Sequence, residues 1–189
     1  MFVRRVRGSA RVRVCLVLGL SLLAAPGRAQ PPQLETEVRA AYLYKFAGFV
    51  DWPAGAFARP DSPLLIGVAG NDALAGRVAQ LVAGRSAGGH PLQVRRLRQG
   101  DSPAGLHILF VASADPGGAA LLAAARSQPL LTVSDAAEVP PGMIRFLVVD
   151  ERLRFEVALR EVETSGLKIS ARMLAAAWRV SGASIKGAT

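Results

Sequence analysis

Cysteine is almost missing from this chain. The only one among 189 residues is Cys15, so everything beyond it can form no disulfide, thiolate metal site or thiol nucleophile. A domain of about 160 residues can bury enough apolar surface to fold without such staples. Histidine is scarce too, with only His90 and His107 present. A zinc site usually takes three or four ligands, and His107 opens an apolar run, which suits a satisfied core or rim histidine. Gly-x-Ser-x-Gly is spelled once, at residues 84–88, but in a loose linker that follows a helix and precedes a strand, not on the strand-to-helix turn of a nucleophile elbow, and no Walker A loop occurs. That leaves no signature of a serine hydrolase or a P-loop nucleotide hydrolase. Aromatic residues make up 6%. None is interleaved with the basic cluster Arg95, Arg96 and Arg98, so the cluster reads as a solvated face and not as a nucleic-acid surface.

Acidic residues are missing from the first 29 positions. Arg4, Arg5, Arg7, Arg11 and Arg13 precede a 12-residue apolar run, Val14 to Ala25. Pro26 and Gly27 break the run, and Gly27 and Ala29 put small residues at the −3 and −1 positions before Gln30. This order predicts a cleaved secretory signal over residues 1–29. The run is too short for a spanning helix, which needs ~20 apolar residues. Cys15 follows Arg13 and Val14, which does not fit a lipoprotein cleavage box, so it counts as one hydrophobe of the run. Six of the 23 basic residues, and none of the 14 acidic ones, fall in this segment, so the formal charge drops from +9 to +3 on cleavage. A strongly basic protein seeking nucleic acid is therefore not implied. The short, arginine-rich signal suits export across a bacterial inner membrane. The expected location is the periplasm, with full secretion as the alternative. Residues 30–189 then form a single domain with its core at about 34–180.

The remainder alternates helical and strand patterns. Leu34, Val38, Tyr42, Phe46 and Phe49/Val50 recur at helical spacing, widened by Leu43 and Ala47, and predict a helix over 34–50 that Pro53 stops. Trp52 hangs at its end. Apolar runs predict buried strands at 64–69, 107–112 and 129–133, with a partly alternating strand at 92–97. Helices are expected at 73–83 and 116–126, the second capped by Ser113 or Asp115. Strands at 143–149 and 152–159 join across Asp150 and Glu151. In the second, Leu153, Phe155, Val157 and Leu159 alternate with Arg152, Arg154 and Glu156, as in a half-exposed hairpin strand. A helical turn at 161–165 ends at Gly166, and Ser170 caps a last helix over 171–180 with Met173, Leu174, Ala177 and Trp178 apolar. The fold class is α/β. We expect a single-domain layered sandwich, its mainly parallel central sheet flanked by helices, with a C-terminal hairpin at a sheet edge.

Gly67 and Gly70 stand where a dinucleotide fingerprint would begin, but the third glycine is absent, and Asp72 would repel a phosphate. A tight turn fits better. Gly70, Ser113 and Asp135 follow three parallel strands at the edge where such sheets bind small ligands, which makes them a weak ligand-site candidate. Asp135 and Glu138 could do acid–base work, although loop acids are usually just solvated. No catalytic residue, metal ligand or cofactor is implied.

Six segments, in order, resemble the YfiR family of bacterial periplasmic regulators. The first is Ala41-Tyr42-Leu43-Tyr44-Lys45-Phe46-Ala47-Gly48-Phe49-Val50-Asp51-Trp52-Pro53, similar to the family's opening A-x-L-x-x-F-x-x-F-V-x-W-P. The others are residues 65–72, 107–111, 131–135 with Gly142-Met143-Ile144, then Arg154-Phe155-Glu156-Val157 and Gly166-Leu167-Lys168-Ile169-Ser170. The resemblance runs from about Glu37 to about Ala177.

The resemblance implies a protein that is not itself an enzyme. Such proteins repress an inner-membrane diguanylate cyclase by binding its periplasmic sensor region, which keeps cyclic-di-GMP low. An outer-membrane-associated lipoprotein can draw the repressor away, and the output is biofilm control. For partner contact the resemblance points to Glu163, Leu167, Lys168 and Ile169. Ile169 could serve as an interface anchor, or with Leu167 as a core contact of the last helix. Trp52 could be a binding platform, or a plug of the helix onto the sheet. Tyr42 and Phe46 read as core. The chain departs from the family in lacking the disulfides of some members, and in carrying Ala158 where Asn is frequent. Self-pairing of the edge strand would give a homodimer, but Arg152, Arg154 and Glu156 argue against it. A periplasmic small-ligand binding module and a hydrolase using Asp135 or Glu138 are the competing functions.

Overall fold

The computed structural model describes residues 32–126, 128–135 and 142–182. The expected signal at 1–29 and Glu138 lie outside the described residues. Helix α1 (Pro32–Ala47) buries Ala40, Leu43, Phe46 and Ala47. Leu34, expected to begin the apolar stripe, is 45% exposed, and the packed stripe starts one turn later at Val38. The helix also ends three residues earlier than expected. Gly48 is a poor helix former. Its N–H donates to the Lys45 carbonyl and that of Phe49 to Phe46, at 3.0 and 3.1 Å, which tightens the last turn. Val50 is then free to join a strand, so Pro53 is not what stops the helix.

That strand, β1 (Val50–Asp51), pairs antiparallel with β9 (Lys168–Ile169) in a ribbon of its own. The main sheet takes the other eight strands. They are β2 (Leu64–Ala69), β3 (Ser86–Ala87), β4 (His90–Leu97), β5 (Ile108–Val111), β6 (Leu131–Ser134), β7 (Ile144–Val149), β8 (Arg152–Ala158) and β10 (Arg179–Ser181). Their order is β10-β8-β7-β6-β5-β2-β4-β3, and only β7–β8 and β3–β4 are antiparallel. The expected α/β sandwich with a mainly parallel sheet is therefore the fold.

Helices α2 (Asp72–Val82), α3 (Gly118–Ala125), α4 (Leu159–Thr164) and α5 (Ala171–Ala176) complete the chain. From β2 the path steps one way to β4 and the other way from β5 to β6. Right-handed connections then put α2 and α3 on opposite faces, and the packing agrees. One core joins α1 and α2 to Ile66, Phe110, Phe146 and Phe155. The other joins α3 to Leu97, Leu106, Leu109 and Val111. Gly67 lets Leu106 close in, because a Cβ there would lie 2.4 Å from the Leu106 side chain.

The hairpin β7–β8 turns through Asp150 and Glu151, both left-handed at φ 49° and 58°. Its outer strand is not at the sheet edge. The expected last helix stops at Ala176, and β10 then pairs parallel with β8, covering it. Trp178 N–H donates to the Phe155 carbonyl at 2.8 Å, which commits the backbone to the sheet and leaves the indole 48% exposed. No helix among the described residues is long and apolar enough to cross a membrane.

Candidate partner-binding site

The β1–β9 ribbon brings the two ends of the domain together. Val50 opposes Ile169 and Asp51 opposes Lys168. The Ser170 N–H donates to the Phe49 carbonyl at 2.9 Å, and the Ser170 hydroxyl accepts from Met173 N–H at 3.3 Å, capping α5. Between α4 and β9 the chain reverses at Gly166, left-handed at φ 78°. A Cβ on Gly166 would reach Pro53 Cγ at 3.8 Å, so this turn abuts the loop that carries Trp52.

Of the expected partner residues, Glu163 and Lys168 are exposed, and Ile169 and Trp52 are half-buried. Leu167 is not available to a partner. It is 1% exposed and belongs to the α1-side core, because the reversal at Gly166 turns it inward. The other four keep at least part of their surface open.

Trp52 is pinned by a feature the sequence did not announce. Its indole N–H donates to the His107 carbonyl at 3.3 Å. The Phe57 ring is stacked between two imidazoles, His90 at 3.6 Å and His107 at 4.2 Å, nearly parallel to both. His107 Nδ1 accepts from Leu65 N–H at 3.1 Å, so the proton sits on Nε2, which donates to the Ala56 carbonyl at 3.2 Å. His90 Nδ1 lies 2.8 Å from the Ser62 carbonyl and carries its proton there. Together the histidines fasten the 52–63 loop to β2, β4 and β5. Burial pushes the His107 pKa down. The Ala56 hydrogen bond opposes this, and His90 adds to it. Beside the stack lies a cavity of about 290 Å³ lined by Val50, Trp52, Phe57, Leu64 and His90. His107 is a satisfied core histidine, as its place at the head of an apolar strand implied. Nothing in the spacing of Phe57, His90 and His107 pointed to the stack.

The second candidate set, Gly70, Ser113 and Asp135, does gather at the carboxyl ends of β2, β5 and β6. The chain itself fills the place. Ser113 N–H donates to Asp135 Oδ1 at 2.7 Å, and Arg39, already paired with Glu35, lies 3.5 Å from Asp135 Oδ2. Gly70 is left-handed at φ 73°, and a Cβ there would meet Asp115 Cβ at 2.7 Å. Asp135 thus ties α1 to two strand ends, and its two oxygens are engaged by Ser113 and Arg39. Ser113 caps nothing, and Asp115 instead accepts from Gly117 N–H at 2.7 Å just before α3. Among the described residues no three or more of His, Cys, Asp and Glu converge as metal ligands.

Comparison with known proteins adds one match. A family model described as YfiR/HmsC-like covers residues 36–177, from α1 to the end of α5. No curated protein matches the chain.

Proposed function

Because this chain belongs to the YfiR/HmsC-like family, we propose that it is a periplasmic regulatory protein that binds the periplasmic sensor region of an inner-membrane diguanylate cyclase and holds its cyclic-di-GMP output low. The family match carries this reading. The proposed contact surface is the β1–β9 ribbon with Glu163, Lys168 and Ile169, bordered by Trp52. Its backbone is fixed before a partner arrives, which limits the ordering cost of association. Cleavage of residues 1–29 and export are part of the same proposal, as is release by an outer-membrane-associated lipoprotein. No catalytic role is proposed for the chain. The cyclase holds the reacting groups.

The test is capture. Protein spanning residues 30–189, immobilised and offered a detergent extract of its own inner membrane, is expected to retain a membrane cyclase identified by mass spectrometry. Deleting the gene is expected to raise cellular cyclic-di-GMP. An unchanged level in the deletion strain would sink the repressor reading.

A further inference from the structure

The sheet carries helices on both faces over only part of its width. β5 and β6 are parallel neighbours, and a right-handed connection places their crossover on the face that bears α3. The β5–β6 crossover contains α3. The α3-side core ends at β5 and Leu130, and none of its members comes from β7, β8 or β10. Among the described residues, no second helix lies beside α3 over β7 and β8.

This part of the face has a definite chemistry. The β7 and β8 residues that alternate with the buried ones are Arg145, Leu147 and Val149, then Arg152, Arg154 and Glu156. Arg179 and Trp178 stand at the rim on and before β10. Four arginines therefore meet one acid. Glu156 is taken up by Arg145 and Arg179, and neither Arg152 nor Arg154 has an ion pair among the described residues. Arg154 lies over the Trp178 ring at 5.8 Å, and its Nε–H is buried without an acceptor. Arg39 and Arg95 also have an unmatched Nε, but each is anchored through another nitrogen, to Glu35 and to the Ser102 carbonyl. Arg154 has no such anchor. The buried Nε is closed to a partner, but the outer guanidinium nitrogens are not among the buried atoms and have no ion-pair partner among the described residues, so a carboxylate can take them in a charge-assisted bond.

We propose that this face seats an acidic amphipathic helix of a partner protein. The apolar stripe of that helix would lie on Leu147, Val149 and the Trp178 ring, with its carboxylates on Arg152 and Arg154. A helix is ~10 Å across and completes the layer that α3 begins. The partner is a different protein, because the described residues present no free acidic helix of eight or more residues to a second copy. In α1, Glu35 is engaged by Arg39 and Glu37 by Arg77, and α4 has only six residues. The surface shares no residue with the β1–β9 ribbon and stands whether or not the ribbon's partner is a cyclase.

The test places the photo-crosslinking residue p-benzoylphenylalanine at position 149 of the full chain in its native cell. After irradiation the attached peptide is mapped by mass spectrometry. The expected adduct is a segment of another protein with net negative charge and apolar residues at helical spacing. Its yield should fall at least tenfold in Arg152→Glu and in Arg154→Gln, and persist in Lys168→Glu on the ribbon. Arg152 is exposed, so its variant folds even if the Arg154 variant does not. No adduct, an adduct to lipid, to a second copy or to a basic segment, or a yield indifferent to Arg152→Glu would each overturn the proposal.

Discussion

Replacing His107 by phenylalanine tests whether the aromatic clamp holds the Trp52 loop. The ring and its stack on Phe57 are kept, and two hydrogen bonds are lost. Leu65 N–H loses its acceptor at 3.1 Å and the Ala56 carbonyl its donor at 3.2 Å. A buried group left unsatisfied costs about 1–3 kcal/mol. Leu65 lies inside the sheet and takes most of that cost, whereas half-exposed Ala56 can turn to water and contributes less. The total is about 3 kcal/mol, a large share of the roughly 5–15 kcal/mol that holds a domain folded. For a chain of this length it corresponds to a fall in Tm of roughly 6–12 °C.

The pH dependence isolates the same residue. Burial lowers the folded pKa of His107 below the ordinary value of 6.5. The unfolded chain therefore takes up the proton first as the solution is acidified. The stabilisation is fully present above pH 6.5 and is lost as pH falls toward the folded pKa, with a slope of up to about 1.4 kcal/mol per pH unit for one proton. Urea denaturation of residues 30–189 at steps between pH 7.5 and 5.5 should show this slope in the wild type. His107→Phe should be lower at pH 7.5 and lose the slope. A variant that melts with the wild type, or keeps the full slope, refutes the clamp.

Three further substitutions follow from particular backbone and surface positions. Gly70→Ala should cost about 2 kcal/mol or more in thermal melts, because the left-handed φ of 73° is joined by a 2.7 Å approach to Asp115 Cβ. Glu151→Gly should stabilise the chain by about 0.5–1 kcal/mol, since a two-residue hairpin with both φ positive favours glycine second, and an unchanged or lower Tm would count against a strained turn. Lys168→Glu should leave the Tm within a degree, being exposed, while weakening capture of the membrane partner by surface plasmon resonance.

Legibility in the sequence followed the length of the pattern. Leu64–Ala69 and Ile108–Val111 are uninterrupted apolar runs, covered on both faces as their composition requires. Ser170 caps its helix through local chemistry that a sequence displays directly. The β1–β9 ribbon was hidden because two-residue strands have no period to detect. β10 was hidden for a different reason. Ala177, Trp178 and Val180 continue the apolar spacing of α5, yet the free edge of β8 claimed that backbone, an instance of tertiary pairing overriding local propensity. The residues proposed for partner contact form one segment of the sequence, but their individual exposure was not legible in it. Which of Leu167, Lys168 and Ile169 faces outward depends on the reversal at Gly166.

Two-residue strands do not persist alone, so the geometry of the ribbon must be imposed by its anchors. On one side these are the end of α1 and the Trp52 loop. On the other they are the Gly166 turn, the Ser170 cap and Leu167, whose N–H donates to the Val162 carbonyl at 3.2 Å while its side chain fills the core. A residue can thus shape the proposed partner surface without touching a partner. Leu167→Ala removes a fully buried side chain and should cost about 2–5 kcal/mol. Because Lys168 and Ile169 follow it directly, partner binding should fall together with stability. Lys168→Glu should separate the two, losing binding alone. Titrating the captured partner against both variants, with urea melts run alongside, gives the decisive comparison. If Leu167→Ala lost binding at full stability, Leu167 would have to reach the partner in a rearranged ribbon, and the preformed surface argued from its burial would be wrong.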